Sequence, residues 1–63
     1  MSWKDAKLAA TEWLAELNLP ADLTGSSINL KQLAERLPRT GTYREMVLRA
    51  AARQLRQRGA QLE

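Results

Sequence analysis

The residues best equipped for chemistry are arginines. Arg49, Arg53 and Arg56 recur at i, i+4 and i+7, the spacing that lines side chains along one face of a helix. A guanidinium stays charged at any ordinary pH and presents a planar fork of donors matched to phosphate and carboxylate oxygens. A row of them addresses a polyanion or an acidic protein face. Gln54 and Gln57 add amides beside the row. Other chemistries lack their reagents. With no cysteine and no histidine, the chain has no thiolate, no imidazole base and no soft metal ligand. Glu12 and Glu16 are neighbours at i, i+4, but no second set of ligands accompanies them, so a solvated face is the expectation. No enzyme activity, cofactor or metal is expected.

Charge is unevenly placed. Through residue 38, Lys4, Lys7, Lys31 and Arg36 stand against Asp5, Glu12, Glu16, Asp22 and Glu35, a balance of −1. From residue 39 onward, Arg39, Arg44, Arg49, Arg53, Arg56 and Arg58 stand against Glu45 and Glu63, a balance of +4. The net +3 is thus a basic second half joined to a nearly neutral first half. At 63 residues the chain makes one small domain, 1–63. A domain of that size buries only about 60% of its unfolded surface, so tight helix packing or self-association must supply stability. The 44% hydrophobic and 27% charged content is ordinary for a folded domain, which argues against wholesale disorder. No apolar run reaches the roughly 20 residues a bilayer requires, and Met1-Ser2-Trp3-Lys4-Asp5 lacks the layout of a secretion signal. No membrane association is expected, and a cytoplasmic location is.

Three helices must position the arginines. The first is expected over about 3–18, with Ser2 as N-cap and Asp5 in its first turn. Trp3, Ala6, Ala10, Trp13, Leu14 and Leu17 share one face. Trp3 and Trp13 read as core residues; stacking on a base is the competing reading for Trp3, at the end of its helix. Leu8 lies off the stripe. Pro20 ends the segment, and 19–28 reads as a linker in which Leu23 tucks inward. The second helix, 30–37, opens with Asn29 as N-cap, Gln32 at N3 and an Ile28–Leu33 staple. Leu30, Leu33, Ala34 and Leu37 form its buried side. The third is expected over 43–58, with Thr42 as N-cap, Glu45 at N3 and Gly59 as the residue past its end. Its apolar arc holds Tyr43, Met46, Val47, Leu48, Ala50, Ala51 and Leu55, with the arginine row opposite. A Glu45–Arg49 pair at i, i+4 adds slight support. The tail, 60–63, carries no structural signal. The predicted core is Trp3, Trp13, Leu14, Leu17, Leu30, Leu33, Ala34, Leu37, Met46, Val47 and Ala50. The fold class is all-α, a small three-helix domain.

Residues 30–48 carry a family resemblance. Leu33-Ala34-Glu35-Arg36-Leu37 has the Leu-Ala-x-x-Leu pattern by which a short helix packs closely across a second, and Arg39-Thr40-Gly41-Thr42-Tyr43-Arg44-Glu45 follows as turn and helix start. The stretch resembles the helix-turn-helix of small bacterial and phage DNA-binding proteins. Pro38 stands where that family usually has its turn glycine, and Gly41 comes three residues later. The resemblance implies DNA as partner, a role as transcriptional regulator or phage or plasmid accessory factor, and dimers on paired half-sites. It places Arg39, Thr40, Thr42, Tyr43 and Arg44 toward DNA, with Arg49, Arg53 and Arg56 adding charge. The alternative is a helical interaction module, dimeric adaptor or inhibitor, whose arginine row docks on an acidic protein surface. RNA binding through the row and the aromatic residues is a third reading.

Overall fold

The caps and stripes of the sequence build a three-helix, all-α domain closed by a two-residue-wide sheet. The computed structural model describes residues 2–37 and 41–63. Helix α1 spans Trp3–Glu16, with the Ser2 hydroxyl accepting from the Asp5 amide at 3.2 Å. It stops two residues short of the expected end. Leu17 is the C-cap, and Asn18 turns left-handed at φ 55°, a conformation asparagine tolerates past a helix end.

Strand β1, Ser27–Ile28, follows, then helix α2, Leu30–Ala34. The Asn29 side chain accepts from the Gln32 amide at 3.1 Å, as expected of the N-cap. The expected two turns resolve into one α-helical turn and a tighter run. The Glu35, Arg36 and Leu37 amides bond three residues back, to the carbonyls of Gln32, Leu33 and Ala34. Helix α3 spans Thr42–Gln57. Its N-cap is Gly41, not Thr42, and no side chain caps it. Gly41 enters at φ 78° and ψ −154°, a backbone shape open to glycine, and this moves Thr42 inside the first turn.

The last residues are a correction. Residues 60–63, read as an unstructured tail, form strand β2, Gln61–Leu62, and Ala60 is buried. Strand β2 pairs in parallel with β1, Ser27 opposite Gln61 and Ile28 opposite Leu62. Amides of Gln61 and Glu63 donate to the carbonyls of Ser26 and Ile28, both at 2.9 Å. The expected linker therefore ends in a strand. The Leu23 amide ties it to the end of α3, donating to the Arg58 carbonyl at 2.7 Å.

Helices α1 and α3 lie antiparallel. Lys7 and Thr11 of α1 bond Gln54 near the end of α3, while Trp13 and Glu16 line a groove with Tyr43 and Val47 near its start. Ala6, Ala10, Ala50 and Ala51 are fully buried or nearly so, and such small residues permit the close approach of the two helices. Around them pack Trp13, Leu14, Leu23, Leu37, Val47 and Leu55. Leu17, Leu30 and Leu33 are half-buried against this cluster. Met46 is half-buried outside it, about 100° around α3 from Val47. Trp3 overturns its core assignment: it is 40% exposed and lies outside the packed cluster.

Candidate nucleic-acid interface

One continuous helix carries both the core contacts and the row of charge. Taking Val47 as the inward direction, Arg49, Arg53 and Arg56 point about 180–240° away at 100° per residue. All three are exposed. The row spans about 10 Å along the axis at 1.5 Å per residue. Among the described residues none of the three guanidinium groups is paired with a carboxylate or a hydrogen-bond acceptor, and the expected Glu45–Arg49 pair does not form.

The other predicted contact residues are dispersed. Thr42 is exposed at the head of α3. Tyr43 is half-buried, packs on the core and lines a 140 Å³ groove with Glu12 and Glu16. That groove sets two carboxylates beside the helix start that was expected to meet DNA. Arg44 turns inward. Its Nη2 donates to the Ala34 carbonyl at 2.9 Å, a second bond to an oxygen that also accepts from the Leu37 amide, and this ties α2 to α3. Arg39 and Thr40 lie outside the described residues.

A second feature adjoins the row. Between the head of α1 and the latter half of α3 runs a groove of about 120 Å³ lined by Trp3, Lys7, Ala50, Arg53, Gln54 and Gln57. Ala50, Arg53, Gln54 and Gln57 fall on the flank of α3 between its core face and its arginine row. Arg53 thus belongs to both. Gln54 sets the width of the groove: its Nε2 donates to the Lys7 carbonyl and its Oε1 accepts from the Thr11 hydroxyl, both at 3.2 Å. The lining holds two cations and no carboxylate. Sequence periodicity assigned Trp3 to the core because it shares the stripe of Trp13; only its place at the end of the helix hinted otherwise.

A larger groove, about 310 Å³, lies at β1 and α2, with Arg36 the one charged residue in its lining. Among the described residues no three His, Cys, Asp or Glu side chains gather as a metal site, and no helix is long and apolar enough to cross a membrane. The chain matches no protein-family model, no curated protein and no solved structure.

Proposed function

We propose that the protein binds DNA, with Arg49, Arg53 and Arg56 of α3 as its phosphate contacts. The observation that carries this reading is the unpaired state of the row: three exposed guanidinium groups on one face, without a carboxylate partner among the described residues. Like charges held this close repel one another, and a polyanion relieves the repulsion while releasing its own counterions. Thr42, exposed at the head of α3, is the remaining candidate for contact with a base edge. Arg44 serves the fold.

The test is a salt titration of duplex binding for the parent and for Arg49→Gln/Arg53→Gln/Arg56→Gln. Each phosphate contact steepens the plot of log affinity against log salt by about 0.9. The triple variant is expected to have a slope shallower by about 2.7 and, near 0.1 M salt, to bind about 500-fold more weakly. Equal slopes for the two proteins overturn the reading. A second reading, docking on an acidic protein face, draws on Leu8, which is 58% exposed and suited to anchor a partner. Under that reading Leu8→Ala costs affinity for the partner, and DNA binding is absent at every salt concentration.

A further inference from the structure

We infer that the groove between the head of α1 and the latter half of α3 holds an unpaired base of single-stranded DNA, stacked on Trp3 with its flanking phosphates on Lys7 and Arg53. The inference rests on the reading of the arginine row as a DNA contact and names the form of DNA that the surface prefers.

Four features of the groove converge on this ligand. Trp3 is 40% exposed and lines the groove, although tryptophan is highly buried on average. Every base offers a π-face, so an exposed indole flanked by cations is the arrangement that single-strand binders use. Lys7 and Arg53 supply positive charge within the same lining, and no carboxylate opposes it. Ala50 keeps the floor low where a longer side chain would fill the space. Gln57 is exposed and has no partner among the described residues, so its amide is free to bond a base edge.

The strand has a path. Arg53 is shared by groove and row, so a backbone leaving the groove at Arg53 continues onto Arg49 or Arg56. A duplex engages the row but keeps its bases stacked on one another, out of reach of Trp3. A second copy of this chain is a poor occupant. In a two-fold contact the patch meets itself, which sets Lys7 and Arg53 against their own copies.

Tryptophan emission reads the stacking directly, because Trp13 is buried at 8% exposure and leaves Trp3 as the accessible indole. The full chain is titrated with a twelve-nucleotide oligothymidylate and with a duplex of the same length. The single strand is expected to bind more tightly and to quench the emission, whereas the duplex binds with little quenching. Trp3→Leu is expected to abolish the quenching and weaken single-strand binding roughly tenfold or more, with duplex affinity unchanged within about twofold. Trp3→Phe retains most of the single-strand affinity. Circular dichroism checks that each variant is folded, which is expected because Trp3 lies outside the core. Binding of both probes with unquenched emission, or with single-strand affinity untouched by Trp3→Leu, overturns the stacking site and leaves the arginine row standing. Failure of both probes to bind overturns the row and the groove together. Emission that shifts with protein concentration alone, and stops doing so in Trp3→Leu, identifies a self-contact and overturns the inference.

Discussion

Gly59→Ala tests how the end of the chain is held. Gly59 follows α3 at φ +97°. A side chain there costs about 1–3 kcal/mol in backbone strain alone. A Cβ would also sit 2.7 Å from the Thr24 hydroxyl oxygen and 3.1 Å from the Thr24 Cα and backbone nitrogen. Swinging the hydroxyl aside gives up its interaction with the Asp22 carboxylate and leaves the two backbone contacts at 3.1 Å in place. Nor is the backbone free: the Leu23 amide is held by the Arg58 carbonyl, and the Thr24 amide by Asp22 Oδ1 at 2.9 Å. Relief requires the 22–24 segment to lift, loosening a hydrogen bond worth about 1 kcal/mol. The combined cost is about 2–4 kcal/mol. A domain of this size has a total stability of about 3–9 kcal/mol, so the melting temperature should fall by about 10 °C or more.

Gly25→Ala is the control. Gly25 has a similar φ of +84° and no atom within 4 Å of the added Cβ, so it bears the backbone strain without the collision. The assay is thermal and urea unfolding followed by helical circular dichroism. Gly59→Ala is expected to cost at least about 1 kcal/mol more than Gly25→Ala. Adding Thr24→Ala removes the nearest contact but leaves the two at 3.1 Å, so it should restore only part of the loss, with a coupling of about 0.5–1.5 kcal/mol. Equal melting temperatures for the two glycine variants would refute the seating of Gly59 on the 22–24 segment.

Two further outcomes follow from burial and charge. Leu14→Ala, at a position with no exposure, should cost about 2–5 kcal/mol. Leu33→Ala, at a half-buried position, should cost at least about 1 kcal/mol less; urea midpoints in the reverse order would misplace the core. The Asp22 carboxyl is held below its usual value of 3.8 by the Thr24 hydroxyl first and the Thr24 amide second. Ionised Asp22 therefore stabilises the fold above pH 3.8, and that contribution fades as pH falls through the lower folded-state value. Carboxyl chemical shifts followed by NMR should give a midpoint under 3.8; a midpoint at or above it means that the turn does not form in solution.

What the sequence made legible depended on how far each signal reaches along the chain. Caps act over three residues, and Ser2 and Asn29 cap as read. Apolar periodicity needs several turns, and α1 and α3 supply them. The two strands are two residues each, too short for an alternating pattern, and their pairing joins segments 34 positions apart. Nothing local announces such a contact. Thr42 failed as a cap because the entry to α3 is fixed by the φ of Gly41, which leaves no mark on the residues after it.

The arginines show the same limit at the site. Composition counts Arg44 and Arg53 alike, and both lie on α3 with open space on one side. Position on the helix separates them. Arg44 points to where α2 ends, and the Ala34 carbonyl there takes the guanidinium on its second lone pair, beside the Leu37 amide. Arg53 sits nine residues later, where the neighbour is the head of α1, whose Lys7 offers only like charge and whose Trp3 offers a ring face. Arg53 is exposed and makes no hydrogen bond or ion pair among the described residues. Antiparallel packing of α1 on α3 thus sorts one arginine-rich helix into a structural beginning and an outward-facing second half. It also sets Glu12 and Glu16 beside the first and Lys7 beside the second. Carboxylates therefore sit beside the start of α3, whereas cations are the only charges lining the groove beside its later turns, where the Arg49–Arg53–Arg56 row meets no partner among the described residues.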